Sequence, residues 1–280
     1  MQDGQFSRTA LSAAGLRAAH QVADGASVFV DPLAGKILRD DLWVHLEGAI
    51  DPELRPLRLF VALRSRLAED HARKRIGQGA RQVVVLGAGL DTFGLRLEPV
   101  EGLRVFEVDH ADTQAEKRRR LAAADVAAPA HLVFAPCDFE SETLGQCLAA
   151  AGFDANAPAA FLWLGVTPYL TPAAFEATLR FVAGLKGGAG IVFDYANPTE
   201  SIDSPGHRLF HERMAARVAA LGESFRSAFV TADLHEFLAS LGASEIDDYG
   251  PRRIAELFGH DGPPPPENGG HILRAVFPGR

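Results

Sequence analysis

The chain predicts a doubly wound α/β fold: a mostly parallel, seven-stranded sheet with helices between its strands. Three observations predict it. Short β-branched or apolar runs recur along the chain, helical periodicity fills the gaps between them, and glycine or aspartate directly follows the first three runs. Continuous apolar runs suit strands covered on both faces. Their alternation with helices implies parallel crossovers.

The elements follow in order. Leu11, Ala14, Gly15, Ala18 and Val22 recur at helical spacing. Asp31-Pro32 reads as an N-cap with proline at the first helical position, opening a short helix to Leu38. A longer helix is expected from about Pro56 to Ile76. Gln82 to Leu86 is the first strand and ends in Gly87-Ala88-Gly89. Leu103 to Val108 is the second, ending at Asp109, and a charged helix follows from about Asp112 to Ala124. His131 to Ala135 is the third, ending near Asp138, with a helix from about Leu144 to Ala151. Ala159 to Leu164 is the fourth. Thr171-Pro172 caps a helix to Leu185, which Gly187-Gly188 ends. Ala189 to Tyr195 is the fifth strand. Thr231 caps a helix to Leu241. Ser244 to Tyr249 and His271 to Phe277 complete seven strands, with a surface loop over Pro263 to Pro266. Residues 1–280 thus read as a single domain. Residues 1–78 form a helical N-terminal cap, residues 79–280 a Rossmann-like core, and the polar stretch at about 197–226 a lid insertion.

Composition narrows the function. With 280 residues, 47% hydrophobic and 23% charged, the chain is an ordinary globular protein by these measures. A net charge of −8 disfavours nucleic acid and anionic membrane surfaces as partners. No run reaches the ~18 apolar residues of a membrane span, and Met1 to Arg8 has no apolar core of a signal peptide. The two cysteines, Cys137 and Cys147, fit no zinc, CxxC or disulfide-framework spacing. They read as reduced thiols, which places the protein in the cytoplasm. Asp194 and Asn197 lack a convincing third partner, so no metal is expected. The basic run from Lys117 to Arg120 reads as a solvated helix face.

Ligands of doubly wound sheets bind beyond the carboxyl ends of the strands. Three such ends stand out. In Leu86-Gly87-Ala88-Gly89-Leu90-Asp91, glycines let the backbone approach a ligand. Asp109, twenty positions after Gly89, can accept hydrogen bonds from both ribose hydroxyls of an adenosine. Asp138 can accept from an adenine amino group, with the Phe139 ring packed nearby. The alternative role for either aspartate is a helix N-cap; their shared register at consecutive strand ends favours the ligand. NAD needs its pyrophosphate at the helix N-terminus and a third small residue. Here Asp91 would repel a pyrophosphate, and Thr92 occupies the third glycine position. S-adenosylmethionine (SAM) carries no phosphate and a positive sulfonium, which suits acidic surroundings.

The segment from Arg64-Ser65-Arg66 through Gln82-Val83-Val84-Val85-Leu86-Gly87-Ala88-Gly89-Leu90-Asp91-Thr92, with Leu95-Arg96-Leu97, resembles the leucine carboxyl methyltransferase family. The likeness is greatest to its bacterial TcmP-like O-methyltransferase branch. Phe106-Glu107-Val108-Asp109-His110 with Gln114 and Lys117, Trp163-Leu164-Gly165-Val166-Thr167-Pro168-Tyr169-Leu170-Thr171, and Asp31-Pro32-Leu33-Ala34 extend the resemblance over nearly the whole chain. It implies a class I SAM-dependent O-methyltransferase acting on a small-molecule acceptor. In such an enzyme Arg64 would pair with the SAM carboxylate. Gly87 and Gly89 would line the methionine moiety and Asp109 would hold the ribose, with Ala88, Asp91 and His110 also contacting the cofactor. Asp138 and Phe139 would hold the adenine, beside Trp163 and Leu164. Family members often carry glutamate where Leu164 stands, which argues against a protein C-terminus as the acceptor.

Methyl transfer asks the enzyme to align acceptor oxygen, methyl and sulfur and to exclude water. A carboxylate acceptor needs no base, whereas a hydroxyl gains from one. By position, Tyr195, His207 and His211 are candidate bases and Tyr169 a candidate acceptor-orienting group. Each has a structural alternative, an exposed helix face for the histidines and a plain strand residue for Tyr195. Two other readings compete: an NAD-dependent oxidoreductase, and a non-catalytic SAM-binding protein.

Overall fold

A computed structural model describes residues 8–138, 141–220, 222–259 and 264–280. The expectations for Phe139, for the first seven residues and for Pro263 lie outside the described residues. The chain forms two compact units, Met1–Leu162 and Trp163–Arg280. The division falls inside the fourth strand, whereas the sequence reading changes character at residue 78.

The first unit opens with four α-helices: α1 (Arg8–Ala23), α2 (Ala34–Leu38), α3 (Leu42–Ala49) and α4 (Arg55–Gly77). Ala14, Leu16, Ala18 and Ala19 of α1 pack with Ile37, Leu38, Leu46 and Val61. Leu90, just beyond the first strand, and Leu121 join the same core. The small side chains of α1 let its backbone approach closely. Strands β1 (Gln82–Leu86), β2 (Arg104–Asp109), β3 (Leu132–Pro136) and β4 (Ala159–Trp163) carry the parallel order β3-β2-β1-β4. All five residues of β1 are buried, as a strand covered on both faces requires. The register sets Leu86 beside Val108 and Asp109 beside Pro136. The carboxyl ends of three strands therefore lie level. Between them run α5 (Phe93–Arg96), α6 (Ala111–Ala123) and α7 (Leu144–Ala150). The last is opened by a reciprocal capping box of Thr143 and Gln146.

Two expectations in this unit are corrected. Asp31 does not cap α2, whose first residue is Ala34. Its carboxylate is buried and taken by Arg17 and Thr92, with one oxygen left for the Leu33 amide. Cys137 and Cys147 are not separate thiols but a disulfide, with Cα atoms 5.6 Å apart. The ten-residue spacing alone did not reveal the pairing. This pairing removes the cysteine-based argument for a cytoplasmic setting.

The second unit contains α8 (Pro172–Ala183), β5 (Ala189–Ala196), α9 (Pro205–Ala220), α10 (Thr231–Ser240), β6 (Glu245–Tyr249), α11 (Pro251–Leu257) and β7 (Gly270–Phe277). Strand β7 lies between β5 and β6 and is antiparallel to both. Thr171 caps α8 by accepting from the Ala174 amide. The helix ends at Gly184, three residues before the expected glycine pair. Thr231 does not serve as the N-cap of α10. Val230 stands in that place, and the Thr231 hydroxyl is instead shared with Tyr195 and Asn197. The polar stretch expected as an insertion contains α9, of which only Val218 is buried. The fold class is the predicted one: mixed α/β, Rossmann-like, with seven strands among the described residues. No described helix is long and apolar enough to cross a membrane.

Candidate functional site

The site grows from the end of β1. Gly87 and Gly89 adopt φ of 61° and 48°, the left-handed region that glycine enters without a Cβ penalty. The Gly87 and Ala88 amides both donate to the Val108 carbonyl, at 2.8 and 3.2 Å. The Asp91 amide closes the turn on the Ala88 carbonyl at 2.7 Å. A Cβ on Gly89 would also lie 3.0 Å from the Ala10 Cβ of α1, so the helix rests directly on this glycine.

Asp109, at the tip of β2, turns its carboxylate onto that loop. Oδ2 accepts the Gly89 amide at 2.6 Å and Oδ1 accepts the His110 amide at 2.7 Å. A carboxylate has about four acceptor sites, so two backbone bonds leave capacity for two more donors. Burial pushes the Asp109 carboxyl above the usual range, opposed by the Gly89 and His110 amides. The role of helix cap belongs to its neighbour: His110 caps α6, its ring nitrogen facing the Asp112 amide at 3.4 Å. Asp138 likewise does not cap α7, which Thr143 does. Its Oδ2 accepts from the Ser141 hydroxyl at 2.7 Å, and its amide donates to Glu142. Neither aspartate is the N-cap of the helix that follows it.

The remaining residues of the first unit sit as follows. Asp91 folds its carboxylate back onto the Phe93 amide at 2.7 Å, a local turn contact. Arg64 is half-buried on α4. Five residues along that helix, Glu69 is held by Arg96, whose Nε donates to the Thr92 hydroxyl at 3.0 Å. Burial pushes the Glu69 carboxyl up, opposed by Arg96.

The sequence reading missed a buried ion pair. Glu107 of β2 and Lys117 of α6 meet at 2.6 Å with both side chains essentially inaccessible. Burial pushes the Glu107 carboxyl up to about 7 against the pull of Lys117. Lys117 also donates to the Asp91 carbonyl at 2.5 Å. It is therefore not part of a solvated basic face, and Arg120, paired with Asp41 and Glu116, is not either. The signal was available in the i, i+3, i+6 positions of Gln114, Lys117 and Arg120, all buried on one face of α6.

In the second unit the geometry redistributes roles. Trp163 is buried, stacked on Phe175 at 5.2 Å with Phe193 at 6.0 Å, so its ring serves the core. Leu164 follows the strand and is half-buried. The Tyr195 hydroxyl donates to Asp248 Oδ2 at 2.7 Å and lies 3.0 Å from the Thr231 hydroxyl. Its ring stacks on His271 at 4.7 Å. Burial, then the Asp248 charge, push the phenol well above its ordinary value. Asp194 accepts the Gly165 amide at 2.6 Å, and Asn197 bridges the Gly269 amide and the Phe229 carbonyl. Asn197 also reaches the Thr231 hydroxyl at 3.0 Å and the His271 ring at 2.8 Å. His207 is exposed and faces Ser204 at 2.8 Å, while burial lowers His211. Tyr169 is half-buried with its ring 5.5 Å from Phe225. One described cluster has the composition of a metal site, Cys137, Glu142 and Cys147, but its two sulfurs form the disulfide.

Comparisons with known proteins identify the family. The family model for leucine carboxyl methyltransferase matches residues 10–183. A Bacillus subtilis protein named "Putative S-adenosyl-L-methionine-dependent methyltransferase YktD" is 30% identical over 92% of this chain and 93% of its own length. A Mycobacterium avium protein of the same description is 31% identical over 74% of this chain and 67% of its own. Among solved structures, a possible exported protein from Bordetella parapertussis superposes with a TM-score of 0.53 at 16% identity, covering 99% of both chains, and speaks to the fold alone. With the model covering more than half of the sequence and a relative aligned nearly end to end, the chain belongs to the leucine carboxyl methyltransferase family.

Proposed function

We propose that this chain transfers the methyl group of SAM to an oxygen of a small-molecule acceptor. That it is a SAM-dependent methyltransferase follows from its family. The observation that carries the site assignment is the Asp109 carboxylate. It is half-buried, fastened to the Gly89 amide at 2.6 Å, and not the N-cap of α6. A carboxylate held in that way presents its remaining lone pairs to a diol, the recognition chemistry of a ribose.

In this reading the turn Gly87-Ala88-Gly89 admits the methionine moiety, Arg64 pairs with its carboxylate, Asp109 with His110 holds the ribose, and Asp138 takes the adenine amino group. Asp91 and Trp163 act indirectly, through the turn and the core. The locked hydroxyl of Tyr195 gives it a structural role. Tyr169 and His207 remain the acceptor-side candidates. A net charge of −8 supports a small molecule over nucleic acid or an anionic membrane as the partner. The family model matches residues 10–183, which supports reading that stretch as methyltransferase sequence.

When SAM is bound, its sulfonium supplies the leaving group, and the protein's task is alignment and exclusion of water. The test uses methyl-labelled SAM with panels of carboxylate and hydroxyl acceptors. Mild alkali releases methanol from a methyl ester and leaves a methyl ether intact, so one step separates the two oxygen classes. Label appearing only on nitrogen, sulfur or carbon would overturn the oxygen assignment. SAM binding without transfer to any acceptor would favour a non-catalytic binder.

A further inference from the structure

We infer that Lys117 and Arg17 are positioning residues that clamp the glycine loop into its ligand-binding shape. Lys117 donates to the Asp91 carbonyl at 2.5 Å, and Arg17 donates to the Leu90 carbonyl at 2.6 Å. Two buried cations, from α6 and α1, thus hold two successive carbonyls immediately after the turn that carries Gly87 and Gly89. Bonds from charged donors are roughly twice as strong as neutral ones.

The need for a clamp follows from the loop itself. Two glycines at positive φ give the turn its shape, but glycine is also the residue with most freedom to leave it. Fixity has to come from outside the turn. Fastening the carbonyls of residues 90 and 91 fixes the peptide planes beyond the turn, and with them the direction of the Gly89 amide toward Asp109. The same network holds the next residue, since the Thr92 hydroxyl donates to Asp31 at 2.8 Å.

The clamp also has charge economy. Lys117 is matched by Glu107 at 2.6 Å and Arg17 by Asp31 at 3.3 Å. Each donor that grips the loop is paired with a carboxylate that offsets its positive charge, fully for Lys117 once Glu107 ionises above about pH 7. That suits a ligand whose reacting centre is a cation, which would be repelled by unmatched lysine or arginine. The inference rests on the cofactor-site assignment above.

The decisive comparison separates loop positioning from general stability. Lys117→Met alone strands a buried carboxylate and destabilises the fold. The double variant Glu107→Gln with Lys117→Met removes both charges and recovers most of the thermal midpoint, but does not recover the donor to the Asp91 carbonyl. Calorimetric titration with S-adenosylhomocysteine is expected to show binding at least tenfold weaker in the double variant and in Arg17→Met. Arg119→Ala, on the exposed face of α6, binds as the wild type does. Amide exchange should quicken at residues 87–92 while β1 stays protected, a change that a merely structural pair would not produce. If the double variant does not fold, Arg17→Met carries the test, since Asp31 keeps Arg96 at 3.4 Å. A folded clamp variant that binds within twofold of wild type, with unchanged loop exchange, overturns the inference. If wild type binds no S-adenosylhomocysteine, the site assignment fails instead. If Asp109→Ala weakens binding and the clamp variants do not, the inference alone fails.

Discussion

At the scale of single residues, the chemistry concentrates on carboxylates that the fold buries and then satisfies. Asp109 was legible from sequence because its position, one residue past a β-branched run and twenty past a glycine, is dictated by parallel register. What the sequence could not show is that Gly89 itself donates to it. Asp109→Ala should therefore weaken SAM through two lost ribose bonds, about 2 kcal/mol or roughly thirtyfold, and release the loop amide as well; calorimetry reads the sum. Arg64→Ala should weaken SAM, read by the same calorimetric titration as a loss of affinity. Tyr195 illustrates the converse. Its place at the end of a strand suggested chemistry, yet Asp248, more than fifty residues away in sequence, captures its hydroxyl, and no local pattern announces a partner that distant.

Glu107 carries a pH signature of its own. Burial raises its folded-state pKa to about 7 from an ordinary 4.5. Between those values the folded protein binds a proton that the unfolded chain does not, so this group's contribution to stability is complete below about pH 4.5 and is lost as pH rises through 7. Glu107→Gln should remove that slope. Denaturant unfolding of both proteins from pH 5 to 8 should show the variant gaining on wild type as pH rises; parallel curves would contradict it.

Among elements, the strands and long helices followed from periodicity, and their ends followed less well. α4 differs from its expected span by one residue at each end because Pro56 marks its start and Gly77 its finish. α5 and α11 escaped notice, being four and seven residues long, too short for periodicity to register. α2 starts late because Asp31 is recruited to a buried network that joins α1, the glycine loop and Arg96, a tertiary demand that overrides a local capping preference. The Cys137–Cys147 link ties β3 to α7 across ten residues. Closing a loop of that size stabilises a fold by about 3 kcal/mol in the chain-entropy account. Reduction should lower the unfolding free energy by about that amount, seen as a lower denaturant midpoint, and Cys147→Ser should abolish the response to reductant. A midpoint indifferent to reductant would contradict a formed disulfide.

For the whole molecule, the sequence reading recovered the seven strands and their order of function, because alternation and register are repeated many times along the chain and errors at one element do not propagate. It recovered less of what joins distant segments. Lys117 looked like one of four solvated cations, yet three of the interactions that shape the site pass through it or its neighbours on α6. Buried polar pairs are set by which elements meet, and a single chain's composition does not state that. The choice between SAM and NAD, by contrast, was visible early, since Asp91 and Thr92 deny a pyrophosphate its place whatever the tertiary contacts are.

In the proposed site the glycine turn and Asp109 together hold the adenosine of a methyl donor without phosphates. Isothermal titration of the purified chain with S-adenosylhomocysteine and, separately, with NADH tests it most directly. The expected result is saturable binding of S-adenosylhomocysteine that Asp109→Ala weakens by roughly thirtyfold, and no binding of NADH. Saturable NADH binding, or S-adenosylhomocysteine binding that Asp109→Ala leaves unchanged, would contradict it.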